Sequence, residues 1–337
     1  MPGPNVPFPP MEAELVRELP AGDEWQYEPK WDGFRGVLEN DGGELALWSR
    51  NGRPLLRYFP ELRPLGDLLP PHSALDGEIV IARDGVLEFD SMQMRLHPAE
   101  SRVQKLAAEI PAIFIAFDLL LWNGKPVHEQ PLKKRRAELL RRGKGFWISP
   151  ATTELDAATA WLDRFEAAGL DGVIAKRRGL AYMPGSREAV VKVKEHKTAD
   201  CVVIGVRWKE KPVRLATLLL GLYGDDGEVD YVGSAAIGAR NHDEIAALVK
   251  PLLDERSERR FSEPNRWGTE GLEESPLRHE LVAEVRYDKV QGNRFRHGTK
   301  LIRFRPDKDP SQCTWREVRP PRRADDPTVE SLLESSA

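Results

Sequence analysis

The stretch EPKWDGFRG, residues 28–36, places a lysine, an aspartate, a glycine and an arginine close together. A lysine amine is a nucleophile only when it is neutral, and a reference pKa of about 10.4 makes that form rare at pH 7. Nearby positive charge or burial favours the neutral form, so Lys30 needs particular neighbours if it is to do chemistry. Taken alone, the stretch is typical of a polar turn between two short strands.

Two further lysines could be such neighbours. Lys192 and Lys194 lie two positions apart in VVKVK, residues 190–194, which predicts a strand. Alternate residues of a strand point to the same side, so both ammonium groups would face one pocket. There they would favour the neutral form of a third lysine and bind phosphate oxygens.

Carboxylates would complete such a pocket, because phosphoryl transfer generally uses magnesium held by one or two acidic side chains. LDGEIV supplies Asp76 and Glu78, and LDGVIAKR supplies Asp171, in each case beside a predicted strand. Asp-Gly is also a common turn signal, and for each pair alone a turn is the preferred interpretation. The order of the motifs along the chain is therefore more informative than either pair.

Seven short motifs follow one another along the chain: EPKWDGFRG, SRNG, LDGEIV, IAFDLLLWNG, DGVIAKR, VVKVK and RFRPDK. In this order they resemble the motif series of the ATP-dependent DNA ligases. Within that family they are most similar to the short bacterial forms associated with end joining, the C and D types. The resemblance spans residues 28–308, and so many matches in the correct order make coincidence a poor explanation.

The resemblance implies that Lys30 attacks the α-phosphorus of ATP, forming a lysyl-adenylate and expelling pyrophosphate. Glu28 would read the adenine amino group, and Phe117, in IAFD, would stack on the adenine ring. Arg35 would contact the nucleotide, while Glu78 would engage the ribose and a metal ion. By this resemblance, ATP is the nucleotide substrate.

The same resemblance implies roles toward phosphate, metal and DNA. Lys192 and Lys194 would stabilise the α-phosphate, and Glu78 and Asp171 would hold Mg²⁺ or Mn²⁺. The family usually has a glutamate where this chain has Asp171, which is one methylene shorter, so direct and water-mediated metal binding both stay open. Arg50, in SRNG, would bind the 5′-phosphate of the broken strand, which receives AMP before the 3′-hydroxyl attacks and seals it.

The last motif, RFRPDK, contains Arg305, Asp307 and Lys308, which by resemblance orient pyrophosphate while ATP reacts. It ends a basic stretch, residues 286–308, with eight lysines and arginines against two aspartates, a net charge of plus six (8 − 2). The whole chain has a net charge of −4, so this positive surface is local. We expect it to bind the backbone of nicked or broken double-stranded DNA.

These motifs need a scaffold, which the surrounding residues predict. EWQYEPKWDG, GELALWSRNG, SALDGEIVIA and AIFIAFDLLLWNG are apolar runs closed by Gly, Asn or Asp, as is typical of strands. A helix is predicted from four apolar residues that share one face at helical spacing, and Gly169 would end it. The residues on that face are Leu155, Ala158, Leu162 and Phe165. We expect further helices around residues 130–142 and around residues 11–19.

Length and sequence texture predict two domains. We expect a lead-in at residues 1–24, an α+β adenylation (nucleotidyltransferase) domain at 25–198, an all-β OB-fold barrel at 199–320 and a loose tail at 321–337. Short strands, one helix and a hairpin signal at Gly224 to Gly227 indicate the barrel.

Composition excludes several classes of protein. The two cysteines, Cys201 and Cys313, match neither a disulfide framework nor a zinc pattern, which suits a reducing compartment. The sequence has neither a signal peptide nor an apolar run long enough to cross a bilayer. We therefore expect a soluble monomer of the bacterial cytoplasm, with no membrane contact and an end-joining protein as a candidate partner.

Two other kinds of protein fit part of the pattern. An mRNA-capping guanylyltransferase or an RNA ligase shares the K-x-D-G motif and the two-domain plan, although SRNG and RPDK favour the DNA ligase. A non-catalytic DNA-binding module would need only the barrel. Against it stands the intact set of Lys30, Glu78, Lys192 and Lys194, because a vestigial site has no physical need for costly clustered charges.

Overall fold

The computed structural model describes residues 9–194, 197–210, 213–237, 242–257, 261, 272–296 and 298–334. The chain divides into two compact units. The first combines Met1–Glu195 with Arg322–Ala337, and the second is His196–Pro321. The sequence predicts domain boundaries at 198–199 and 320–321, with the residues after 320 as a separate tail.

The first unit is built on two sheets. Its strands are β1 (Glu14–Leu15), β2 (Trp25–Pro29), β3 (Phe34–Asn40), β4 (Leu45–Ser49), β5 (Ser73–Val80), β6 (Ala82–Arg83), β7 (Val86–Leu87), β8 (Ile113–Trp122), β9 (Lys125–Pro126), β10 (Trp147–Ile148), β11 (Val173–Arg177) and β12 (Val190–Val193). One sheet has the order β1-β12-β11-β2. The other has the order β10-β8-β5-β3-β4, with β9 beside β8, and β6 and β7 form a separate hairpin.

Five of the helices in the described residues belong to the first unit, and one, the fifth along the chain, belongs to the second. They are α1 (Phe89–Arg95), α2 (Glu100–Glu109), α3 (Leu132–Arg142), α4 (Leu155–Arg164), α5 (His242–Val249) and α6 (Val329–Glu334). The predicted helix that starts at Leu155 is confirmed as α4, followed by one 3-10 turn at Phe165–Ala168. Gly169 ends it with φ of +80°, a left-handed conformation that glycine adopts without steric cost.

The central strand β8 of the larger sheet is almost entirely apolar and buried. In β8, the run IFIAFDLLLW is buried at every position except its first and ninth residues. Its side chains join Leu38, Leu75 and Ile79 in the main core of this unit. All four predicted strand regions around the motifs are confirmed, as β2, β4, β5 and β8. The motif residues therefore stand on strands that are fixed by core packing.

The lead-in differs from the sequence prediction. No helix forms around residues 11–19; instead β1 runs parallel to β12, with Leu15 opposite Lys192. Main-chain pairing at the sheet edge replaces the helix, and Met11 is buried. A strand of two residues carries too short a pattern for periodicity to detect.

Residues 322–334 do not form the loose tail that the sequence predicts. They return to the first unit, where α6 inserts its apolar side chains into a core cluster. The same cluster contains Trp31, the residue after Lys30. The buried side chains of α6 are Val329, Leu332 and Leu333.

The second unit is a closed barrel. Its strands are β13 (Lys197–Glu210), β14 (Val213–Tyr223), β15 (Val229–Ala236), β16 (Leu272–Pro276), β17 (Val282–Tyr287), β18 (Val290–Gln291), β19 (Arg294–Phe295) and β20 (Thr299–Phe304). The ring runs β13-β14-β15-β20-β17 and closes on β13, while β16 adds to β13. A parallel contact between β15 and β20, and α5 after the third strand, complete the OB-fold plan. The predicted hairpin at Gly224 to Gly227 is confirmed.

No helix in the described parts of the chain is both long enough and apolar enough to cross a bilayer.

Candidate active site

Most of the predicted site residues meet at one cleft in the first unit, with a volume of about 360 Å³. Side chains from both sheets line it. Each sheet therefore contributes motifs that are far apart in sequence. The predicted residues along the cleft are Glu28, Lys30, Arg35, Arg50, Glu78, Phe117 and Lys192.

The position of Lys30 is set by its main chain and by one carboxylate. Lys30 N donates to Gly172 O at 2.9 Å, and Asp171 N donates to Lys30 O at 3.0 Å, which extends the β2–β11 pairing into the loop. Lys30 Nζ donates to Asp171 Oδ2 at 2.6 Å. The lysine side chain keeps 20% of its surface exposed, so the amine is held but still accessible.

Asp171 also binds a second lysine, because Lys194 Nζ lies 2.8 Å from the same Oδ2 atom. Burial works to raise the pKa of Asp171, but Lys30 and Lys194 outweigh it and lower that pKa below its ordinary value. The pKa of Lys192 is also lowered, but by other causes. Burial first, and then repulsion from Lys30 and Lys194, lowers the pKa of Lys192. Lys30 and Lys194 therefore share one carboxylate oxygen of Asp171, and Lys192 lies close enough to both to be repelled by them.

Glycines are required at two positions beside this cluster. A Cβ atom on Gly33 would lie 2.0 Å from the carbonyl oxygen of Ile79. A Cβ atom on Gly172 would lie 2.1 Å from the carbonyl oxygen of Val193, and Gly172 has φ of +121°, which L-residues rarely adopt. Both contacts are to main-chain atoms, which cannot rotate away. The glycine of K-x-D-G therefore permits the close approach of residue 33 to β5, and the glycine of D-G-V permits the close approach of residue 172 to the end of β12, beside Lys194.

Lys176 is a site residue that the motif roles did not include. Its Nζ donates to Glu28 Oε2 at 2.7 Å and lies 4.6 Å from the centroid of the Phe117 ring. Glu28 and Lys176 are both buried, so each balances the charge of the other where water cannot solvate it. The signal that could have revealed Lys176 is strand alternation, because Ile174 and Lys176 are two apart on β11 and both line the cleft.

Phe117 and Arg35 contact each other in the cleft. The Arg35 guanidinium carbon lies 4.6 Å from the Phe117 ring centroid. Arg35 also makes a bidentate ion pair with Asp76, with Nε to Oδ1 at 2.6 Å and Nη2 to Oδ2 at 2.5 Å. The Tyr182 hydroxyl donates to Asp76 Oδ2 at 2.6 Å. The direction of the Arg35 side chain is thus fixed by its contacts within the protein.

Glu78 lies opposite Arg35 in the β3–β5 register and lines the cleft. Burial raises the pKa of Glu78 to about 7, although Arg35 and Lys30 partly oppose the shift. A carboxylate in this position is poorly solvated when it is charged, and it therefore gains from a bound cation or hydroxyl donor.

Replacing Glu78 with glutamine should raise the melting temperature at pH 8. The raised pKa means that the folded state loses stability as the pH rises from the ordinary value of about 4.5 toward 7 and above. Glutamine removes this penalty, so we expect a gain of roughly 2–4 °C at pH 8 that shrinks toward pH 5. Thermal unfolding at several pH values measures it. The exposed Glu44→Gln change serves as control, and a gain that did not depend on pH would contradict the prediction.

Arg50 lies in the turn that follows β4, and its side chain is exposed at the cleft. It shares this part of the cleft with Glu12 and Arg187, two residues that the motifs did not predict. The structure thus brings Arg50 to the same opening as Lys192.

The residues of the last motif lie in the second unit, in an ion-pair network around Asp200. Arg305 Nη1 donates to Asp200 Oδ2 at 3.0 Å, and Lys308 Nζ donates to the same oxygen at 2.9 Å. Arg305 also hydrogen-bonds Asp307, which lowers the pKa of Asp307 to about 2. Lys308 pairs in addition with Glu317. The three motif residues are therefore next to one another, each already engaged with an acid or a base of the barrel.

Among the residues that the structure describes, no group of three or more histidine, cysteine, aspartate or glutamate side chains is placed to hold a metal ion. Of the buried carboxylates that line the cleft, Glu28, Asp76 and Asp118 each pair with a lysine or an arginine, whereas burial raises the pKa of Glu78. Mg²⁺ needs only one or two protein carboxylates when substrate phosphates and water supply its other ligands. The chemistry of the donor set therefore fits a magnesium ion that arrives with a nucleotide.

Comparison with known proteins agrees with this geometry. The family described as "ATP dependent DNA ligase domain" matches residues 10–194. DNA ligase C1 of Mycolicibacterium smegmatis is 43% identical over 93% of this chain and 95% of its own. DNA ligase C of Mycobacterium tuberculosis is 42% identical over 94% of each chain.

Among solved structures, mycobacterial DNA ligase D complexed with ATP and MES is similar to this chain. It is 30% identical, covers 91% of this chain and 98% of its own, and has a TM-score of 0.50. A Lig E DNA ligase shares the fold, with a TM-score of 0.53 at 16% identity and coverage of 88% of this chain and all of its own. These similarities extend over both units.

Proposed function

This chain belongs to the ATP-dependent DNA ligases, and from that premise we propose how its residues divide the work. Lys30 is the nucleophile. Its Nζ forms a bond to the α-phosphorus of ATP while the bond to the α–β bridging oxygen breaks and pyrophosphate leaves. The observation that carries this role is the contact of Nζ with Asp171 Oδ2 at 2.6 Å, inside a cleft that also contains Glu28, Glu78 and Phe117.

Recognition of the base is assigned to Glu28 and Phe117. Glu28 accepts from Lys176 through Oε2 and from Gln26 through Oε1, so its carboxylate is fixed in place to accept a further hydrogen bond from the adenine amino group. Phe117 offers its ring to the adenine. Lys176 positions both residues, because it pairs with one and lies against the other. Arg35, fixed by Asp76, contacts the nucleotide.

Charge at the reacting phosphate is balanced by the lysine cluster. Lys192 and Lys194 stabilise the negative charge that accumulates on the α-phosphate oxygens as Lys30 attacks. Asp171 binds the ammonium groups of Lys30 and Lys194 through the same oxygen, so mutual repulsion does not drive them apart. Positioning and electrostatics supply most of the acceleration in phosphoryl transfer.

Magnesium is assigned to Glu78. When bound, the ion would polarise phosphate oxygens and offset their charge. Glu78 fits because its carboxylate lines the cleft and burial makes it poorly solvated. Asp171 already accepts from two lysines through Oδ2, so we assign it contact with the metal through a water molecule rather than directly.

After adenylation, AMP passes to the DNA. The 5′-phosphate of the broken strand attacks the phosphorus of lysyl-AMP, which releases Lys30 and leaves the phosphate joined to AMP. The 3′-hydroxyl then attacks that 5′-phosphate, forms the phosphodiester and expels AMP. Arg50, exposed at the cleft, binds the 5′-phosphate. Arg305, Asp307 and Lys308 act in the first step, on pyrophosphate.

The setting of the reaction is assigned from the relatives. The relatives include DNA ligases C and a multifunctional non-homologous end joining protein. We assign this chain to DNA repair by end joining in the bacterial cytoplasm, as a monomer that acts beside an end-joining protein. The basic stretch at residues 286–308 is the surface assigned to the DNA backbone.

The nucleotide and the chemistry are tested together. The purified protein is incubated with magnesium and either ATP or GTP, each labelled at the α-phosphate, and labelled protein is measured before and after nicked DNA is added. We expect label from ATP only, lost from the protein as the strand is sealed. A GTP adduct would instead support a capping enzyme, and no adduct from either nucleotide would support a DNA-binding module.

A further inference from the structure

The segment before the first large strand forms part of the cleft. Met11 N donates to the Tyr182 hydroxyl at 3.0 Å, and Glu12 N donates to Ser186 O at 3.0 Å. The next residues form β1 on the edge of the sheet that carries Lys192. The main chain of Glu12 is thus anchored on both sides, independently of its side chain.

The carboxylate of Glu12 lies among cations at the cleft. Arg187 Nε and Nη2 donate to Glu12 Oε2 at 2.8 and 2.6 Å. Arg50 and Lys192 also attract this carboxylate, and all four residues line the cleft. The Arg187 and Glu12 side chains are 66% and 32% exposed, so solvent and solutes reach the pair.

A phosphate would use the same donors. The guanidinium fork of arginine matches phosphate oxygens as well as it matches a carboxylate. A doubly charged phosphate gains more from three cations than one carboxylate does. An exposed ion pair contributes little to folding stability, so breaking it costs the protein little.

We propose that Glu12 is an internal competitor for phosphate: it occupies Arg187 while the cleft is empty and yields it when a phosphate of the substrate arrives. This inference rests on the proposed ligase function, and it adds a residue that sets affinity and selectivity at that site. The phosphate belongs either to ATP or to the 5′ end of the broken strand, which share this chemistry. A ligand must bind these cations more tightly than the Glu12 carboxylate does. Glu12 therefore excludes anions that bind them weakly.

A purely structural role for the pair would have different consequences. If the ion pair held the N-terminal segment in place, losing it would lower thermal stability and weaken ligand binding together. The main-chain bonds of Met11 and Glu12 argue against that role, since they hold the segment without the Glu12 carboxylate.

The test uses the full chain with Glu12→Gln, which keeps the shape and a hydrogen-bond acceptor but removes the charge. One arm measures KM for ATP in lysyl-adenylate formation. The other measures the affinity of the adenylated protein for nicks that carry a 5′-phosphate or a 5′-hydroxyl. We expect a gain of about threefold to tenfold, the size typical of one partly screened unit charge a few ångströms away.

The two arms identify the source of the phosphate. A lower KM for ATP assigns it to the triphosphate, and tighter binding of the 5′-phosphate nick alone assigns it to the DNA end. Adding Arg187→Gln should cancel the gain, as expected when two residues are coupled. Glu14→Gln is the matched control, since Glu14 is an exposed carboxylate two residues away that does not line the cleft.

Several outcomes would overturn the inference. They are no gain in either arm, weaker binding, an equal gain with the 5′-hydroxyl nick, or the same gain in Glu14→Gln. The unmodified protein is measured in parallel. If it formed no adenylate at all, the ligase function would fail, whereas normal activity with no effect of Glu12→Gln would reject only the role of Glu12.

Discussion

Lys30→Ala should abolish the protein–AMP adduct, lowering its rate of formation by at least about 10⁴-fold, because a nucleophile that forms a covalent intermediate has no substitute in the cleft. Lys194 contacts the same carboxylate oxygen, but it approaches from the end of β12, whereas Lys30 approaches from the end of β2. The measurement is transfer of α-labelled ATP to the protein. Adduct at an unchanged level in the variant would reject Lys30 as the nucleophile.

Two controls separate chemistry from folding in this experiment. Lys30→Arg keeps the positive charge beside Asp171, but a guanidinium does not lose its proton in proteins, so it should also form no adduct. Both variants should still seal a nick whose 5′-phosphate already carries AMP, because that step does not consume the lysine. A matched change at the exposed Lys133 of α3 should leave adenylation unaltered.

Asp171→Asn should slow adenylate formation by about 10²-fold, the loss typical when a reacting group is misplaced by about 1 Å. The reason is the double contact of Oδ2, at 2.6 Å from Lys30 and 2.8 Å from Lys194. Asparagine fits the same space but lacks the charge, so three lysines would remain with no carboxylate between them. Single-turnover adenylation with saturating ATP measures the effect.

Asp171→Glu is the matched control for that prediction. It restores the charge on a side chain one methylene longer. We expect it to recover most of the rate that Asp171→Asn loses. Equal rates for Asn and the unmodified protein would show that Asp171 does not position Lys30, and thermal unfolding of each variant separates this from a loss of fold.

The strands around the motifs were predictable because apolar runs closed by turn residues are local signals. The Asp76-Gly77 pair shows where local signals fail. Alone it favours a turn, yet both residues lie inside β5, at a point where β5 and β8 shift register. A Cβ atom on Gly77 would lie 2.5 Å from Ile115 O, so glycine is needed for the neighbouring strand. That neighbour is remote in sequence and leaves no local trace.

The site was predicted as a set of motifs, and the contacts between motifs were not. The chemistry of Lys30, Asp171 and Lys194 singles out each of them in the sequence, but the sharing of one carboxylate oxygen depends on how β11 and β12 meet. The Lys176–Glu28 pair is similar, since its partners lie on adjacent strands β2 and β11 and are far apart along the chain. Sequence order identifies which residues matter, whereas tertiary pairing decides what each one touches.

The composition of the last residues does not indicate that the chain returns to the first unit as α6. Residues 321–337 are rich in proline and acids, which favours a loose segment. Within them, Val329, Leu332 and Leu333 have the i, i+3, i+4 spacing of an amphipathic helix. Six residues are too few for that pattern to be decisive alone, and burial against the first unit stabilises the helix instead.

That return has a consequence for how the protein is made. Val329 packs in one cluster with Trp31, nearly the whole chain apart, and the complete barrel lies between them in the sequence. A ribosome therefore releases the motif that carries Lys30 early but adds α6 only after the barrel has been synthesised. The first unit emerges first but completes its core last, because α6 is made after the barrel. The part of the core that α6 covers therefore stays exposed while the barrel is synthesised.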